Sequence, residues 1–204
     1  MRLVVLLFIL AGVAYFQYSE TPHKDGLPLE TVSGKKLAPE KPVQKRLIPA
    51  KNIQFKGAQL SFTHEFEVKA LVLSTMHYGS GHESRYSRVD LALGWGAMSN
   101  PNVLRSIQIS QSNRFYYFSY QSRPPVAHHV IARSSANMHM VAANQGIENK
   151  LKSVKNGDVV HIRGFLTKIK TENGWRWKSS TTRNDTGAGA CELVYVNDIK
   201  IIEY

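Results

Sequence analysis

A chain of 204 residues, 43% of them hydrophobic, can bury one sizeable core and leaves little room for a second. Its formal charge of +11 comes from 26 basic and 15 acidic residues, and residues 51–204 alone keep 19 basic against 11 acidic. That balance favours polyanions such as nucleic acid, anionic lipid head groups or acidic glycans, while the single cysteine, Cys191, excludes an intramolecular disulfide scaffold without excluding export.

The first element in chain order is the apolar run LVVLLFILAGVAYFQY, residues 3–18, preceded by Arg2. As a helix of about 16 residues rising about 1.5 Å each, it would extend roughly 24 Å, slightly less than a hydrocarbon core of about 30 Å. The basic start keeps the N-terminus in the cytoplasm and sends the remainder outside. The expectation is an uncleaved, single-pass signal anchor, with residues 1–19 as transmembrane segment and the C-terminal domain outside the cytoplasm. Cleavage after Gly12-Val13-Ala14, giving a secreted or periplasmic form, is the alternative. Residues 20–50 hold five of the eight prolines (Pro22, Pro28, Pro39, Pro42 and Pro49) and several lysines. Proline at this density predicts an extended, semi-stiff basic linker, ahead of a β-rich domain over 51–204.

Within that domain, FEVKALVL (66–73) and Val89–Leu93 predict strands on either side of a glycine- and serine-broken loop. Ile107–Ser110 and the aromatic run RFYYFSY (114–120) predict two more. IENKLKSV (147–154) places Ile147, Leu151 and Val154 on one helical face and stops at Asn156-Gly157. DVVHIRGFLTKIK (158–170) and WRWKSSTT (175–182) flank Asn173-Gly174, the pair favoured in two-residue type I′ hairpins. That turn would set Lys170 opposite Trp177 and put Lys168, Lys170 and both tryptophans on one face. Glu192–Tyr204 supplies a closing strand or two. The pattern predicts a mainly β fold with one or two short helices: a small OB-like or closed β-barrel, of the oligonucleotide/oligosaccharide-binding kind, with a β-sandwich as alternative.

The words ALGWG (92–96), SQSNRFYYF (110–118), SANMHMVAAN (135–144), GDVV (157–160) and DTGAGACELVYV (185–196) resemble an uncharacterised family of bacterial membrane-anchored or exported proteins. The resemblance covers most of the domain. It implies bacterial origin and a single domain, which would make the anchor's membrane a bacterial inner membrane and the C-terminal domain periplasmic, and it carries no activity with it.

Three kinds of chemistry have candidate residues. Nucleophilic catalysis needs a cysteine activated by a histidine that an amide or carboxylate orients; Cys191, His139, Asn137 and Asp185 supply those types, for a small hydrolase or transferase. Metal binding would draw on His64, His77, His82, His128 and His129, but their spacing matches no ligand motif, and neither metal nor cofactor is expected. Recognition would use Trp175, Arg176, Trp177 and Lys178, with Lys168, Lys170 and Arg114. Flat aromatics interleaved with cations suit stacking on sugars or bases beside an anionic group. The leading expectation is an envelope binding or scaffold module for a partner protein or anionic polymer: an envelope protein, a glycan or an anionic lipid, with nucleic acid less favoured outside the cytoplasm.

Overall fold

The computed structural model describes residues 34–121, 123–182 and 191–203. The apolar run 3–18 and Asp185 lie outside the described residues. The strands are β1 (Val43–Phe55), β2 (Ala58–His77), β3 (Val89–Gly94), β4 (Gln108–Ser112), β5 (Phe115–Ser119), β6 (Ser135–Ala142), β7 (Val159–Thr171), β8 (Arg176–Lys178) and β9 (Glu192–Ile202). The helices are α1 (Pro101–Leu104), α2 (His128–Arg133) and α3 (Gln145–Ser153).

Five strands close a ring: β2 pairs with β3, β3 with β6, β6 with β9, β9 with β7, and β7 returns to β2. The β6–β9 pair is parallel and the other ring pairs are antiparallel. Counted along the ring strands in chain order, the circuit runs first, second, third, fifth, fourth. Helix α3 sits between the third and fourth. The chain is therefore mainly β and its ring has the form of a small OB-like barrel. Inward residues of the ring strands, among them Leu91, Leu93, Met138, Met140, Ile162, Leu166, Val194 and Val196, form one buried cluster.

Helix α3 follows the reading at 147–154 within two residues at each end. The Asn144 side chain accepts the Ile147 N–H at 3.0 Å, capping the helix, and Ile147 and Leu151 turn inward. Strand β7 bends at Gly164, where its register with β9 shifts. A side-chain carbon there would run into the Tyr195 carbonyl oxygen, so only glycine lets the two backbones approach.

Several expectations are corrected. The linker expected to reach Ala50 does not: Val43–Ala50 already belongs to β1, which forms a long hairpin with β2, and Ala38 is buried. Pro49 is accommodated because β1 is an edge strand and its register shifts between Arg46 and Lys51. Helices α1 and α2 join α3 among the described residues. Val103 of α1 and Ile131 of α2 join Met98 and Ile107 in a separate apolar cluster, against which Ile109 of β4 and Phe118 of β5 pack. Residues 135–142, for which no element was expected, form a central ring strand that carries the candidates Asn137 and His139.

The β7–β8 turn also differs. Ile169 pairs with Trp177, Lys170 with Arg176 and Lys168 with Lys178. Thr171 and Trp175 close a three-residue loop in which Gly174 takes φ +89°. One residue of slip reverses every side chain. The tryptophans thus share a face with buried Ile169, and the four cations share the other.

Candidate functional site

Outward residues of the ring strands are not all solvated. On β6, Ser135, Asn137, His139 and Val141 alternate with the inward Ala136, Met138, Met140 and Ala142, yet all four are buried or nearly so. On β3, Asp90 lies between inward Val89 and Leu91 and is fully buried. Asp90 and His139 stand directly opposite each other across the β3–β6 ladder. Their cover is the β4–β5 hairpin.

That hairpin turns through Asn113 and Arg114, both left-handed at φ +50° and +69°, while Ser112 pairs with Phe115. Such a two-residue turn suits asparagine; for arginine the conformation costs about 1–3 kcal/mol unless its surroundings hold it. They do. The Arg114 guanidinium donates to Asp90 Oδ1 at 2.8 Å and to the Ser87 carbonyl at 3.0 Å. Its backbone N–H donates to Tyr78 Oη at 3.2 Å, and its carbonyl accepts from Asn137 Nδ2 at 2.8 Å. The Tyr78 ring lies 3.6 Å from the guanidinium carbon and the Trp177 ring 5.7 Å away.

His139 Nδ1 comes within 2.9 Å of Asp90 Oδ2. The approach has the length of a hydrogen bond but lies off the ring N–H direction, so neither atom completes one. An Nδ1–H turned toward the carboxylate would suit that proximity and leave Nε2 as the ring's second nitrogen. The Trp177 ring packs 4.8 Å from the imidazole. Burial, reinforced by the Asp90 charge, pushes the Tyr78 phenol above its ordinary range. Burial likewise raises Tyr116 to about 12, with its 3.0 Å bond to Ser135 opposing the shift.

An open pocket of about 410 Å³ lies at this end of the barrel. Glu83 from the loop between β2 and β3 forms one wall, residues 113–115 of the hairpin another. His139 of β6, residues 176–178 of β8 and Cys191 ahead of β9 complete it. Cys191 Sγ reaches the Arg114 carbonyl at 3.8 Å.

The structure thus brings Arg114, His139, Cys191, Arg176, Trp177 and Lys178 together. Trp175 sits just behind, stacked on Tyr86 at 5.9 Å and against His82 at 4.3 Å. Lys168 and Lys170 lie on the opposite face of the hairpin from both tryptophans, not beside them. Asn137 is committed elsewhere: it accepts from Gln111 Nε2 at 2.7 Å as well as donating to Arg114. It therefore fastens the hairpin, and the carboxylate at His139 is Asp90, which sequence reasoning missed along with Tyr78 and Glu83. A lone acid inside VDLAL, at the outward position of an apolar strand, was the available signal. Among the described residues no three histidine, cysteine or acidic side chains gather as a metal site would require. In comparisons with known proteins, the chain matches no family model, no curated protein and no solved structure.

Proposed function

We propose that this chain is a binding module, held at a membrane by residues 3–18 with its β-rich domain on the outer side, that recognises an anionic polymer at the pocket end of its barrel. One observation carries the reading. The pocket lies on the outer face of the third ring strand at His139, between the loop that joins the first to the second and residues 176–178 and 191, which follow the fourth and precede the fifth. Barrels of this kind bind oligonucleotides and oligosaccharides there. The rim suits an anion: Arg176 and Lys178 flank Trp177, and through their ladder partners the positive strip continues to Lys170 and Lys168. No ion pair neutralises these four among the described residues. A bacterial envelope protein of the resembled family would meet acidic glycans and anionic lipids in that compartment.

The test is retention on a sulfated polysaccharide resin against increasing salt. Arg176→Glu with Lys178→Glu should elute at clearly lower salt and show a shallower salt dependence, since fewer counterions are released. Unchanged elution of the folded double variant would refute the site. A reporter fused after Tyr204 that stayed cytosolic would refute the address.

A second reading, a small hydrolase or transferase using Cys191 and His139, is favoured by their sharing one pocket with Asp90 at the imidazole. Alkylation of Cys191 across pH tests it. An activated thiol reacts well below the usual cysteine range near pH 8.5 and loses that advantage in His139→Gln. An ordinary profile, the same in both proteins, removes the enzyme reading.

A further inference from the structure

We infer that the pocket takes the terminal unit of an acidic glycan rather than a stretch of polymer running along the barrel; this rests on the binding reading above and specifies its ligand. The reason is the β4–β5 hairpin. An OB-like barrel tracks a polymer along the outer face of its second and third strands, and here the chain's own hairpin occupies that face. Gln111 bonds Asn137 at 2.7 Å, Tyr116 bonds Ser135 at 3.0 Å and Arg114 bonds Asp90 at 2.8 Å. Phe118 and Ile109 press on the apolar cluster around Ile131. Lifting the hairpin would break all three bonds and strip buried Asp90 of its guanidinium, so the face stays covered. What remains is a pocket of about 410 Å³, the size of a small-molecule site and not of a groove. Residues 113–115 stop it on the hairpin side.

The chemistry of the walls selects the unit. The Trp177 ring offers an apolar plane for the C–H face of a sugar, and around the open edge of β8 Arg176 and Lys178, from the strand's other face, line the same pocket and offer charge to its carboxylate or sulfate. Glu83 faces the same space and can only accept hydrogen bonds while ionised. Sugar hydroxyls donate to such an oxygen, whereas a phosphodiester would be repelled. A uronate end group meets the basic rim with its acid and Glu83 with its hydroxyls. An oligonucleotide satisfies only the rim.

The experiment is a length series. The full chain, in detergent micelles, is titrated with galacturonate oligomers from monomer to octamer and, at the same salt, with oligothymidylates of matching length. The expected result is a uronate affinity that levels off by the dimer, and oligothymidylate binding at least tenfold weaker. Glu83→Gln should then narrow that gap from both sides, weakening the uronate dimer and strengthening the thymidylate. Uronate affinity that climbs steadily to the octamer overturns end recognition while leaving the binding module intact. Tighter binding of the oligothymidylate overturns the glycan assignment. Failure of every oligomer to bind, in a protein that also passes unretained through the sulfated resin, overturns the binding reading itself.

Discussion

Strands β3 and β6, of six and eight residues, present two chemistries. Their inward side chains, Leu91 and Leu93 beside Met138 and Met140, are apolar and lie in the barrel core. Their outward ones, Asp90 beside His139 and Asn137, are as deeply buried but polar, and they require an arginine in a left-handed turn to satisfy them. Burial alone therefore does not separate scaffold from site in this fold. The inward face gains from every methylene removed from water. The outward face holds a carboxylate, an imidazole and a guanidinium out of bulk water, an arrangement that apolar residues of similar volume would often match or exceed in stability.

The comparison breaks most sharply at Asp90. Asp90→Ala leaves the mostly buried Arg114 guanidinium facing no carboxylate and should cost about 3–5 kcal/mol, measured by urea unfolding. Adding Arg114→Ala should restore part of that loss, because the stranded charge goes with it. If the single substitution cost under about 1 kcal/mol, the outward network would be ornament and not structure. On the inward face, Leu91→Ala should cost about 3 kcal/mol by leaving a cavity. Folded Leu91→Ala protein should still bind the polyanion resin as the parent does. Lost binding in that variant would mean the two faces are coupled.

How far this division was legible in the sequence depends on the strand. The periodic signals in β3, β7, β9 and α3 were plain, since a long apolar alternation rarely arises outside a strand, nor an apolar stripe at helical spacing outside a helix. Strand β6 drew no expectation of a strand although Ser135, Asn137 and His139 alternate with Ala136, Met138 and Met140 as a strand requires. Its outward residues are polar, which hid the strand, and they are polar because another hairpin covers them. No local pattern reveals that cover. The hairpin β7–β8 failed for a different reason: Asn-Gly suits both a two-residue and a three-residue turn, and one residue decides which face carries the tryptophans. Cys191, His139 and Arg114 were singled out by type, but their meeting in one pocket is a property of ring closure. Asp90 escaped notice because an acid in a strand reads as an exposed one.

Tyr116 sharpens the comparison through pH. Its phenol stays neutral in the folded protein up to about 12, whereas the unfolded chain ionises near 10. Between those values the unfolded state binds fewer protons than the native one, so stability falls as pH rises. The expected loss is about 2 kcal/mol across that interval, discounted because the ring is partly exposed, with Tyr78 contributing in the same direction. Tyr116→Phe should flatten that part of the stability curve while costing about 1 kcal/mol at neutral pH from the lost bond to Ser135. An alkaline decline unchanged in Tyr116→Phe would place its origin elsewhere.

The smallest effect separates stability from function most directly. Lys168 faces Lys178 across β7–β8, and like charges directly opposite on a ladder are unfavourable. Lys168→Glu turns that pair into an attractive one and should raise stability by about 0.5 kcal/mol, read from the urea midpoint. The same change should weaken retention on the sulfated resin, because it removes one cation from the strip and adds an anion. A residue chosen for the folded state alone would move both quantities together. If stability rises while polyanion retention falls, the repulsion between Lys168 and Lys178 is tolerated because a negatively charged ligand relieves it. If retention holds, the strip is a solvated surface and recognition belongs to the Trp177 pocket alone.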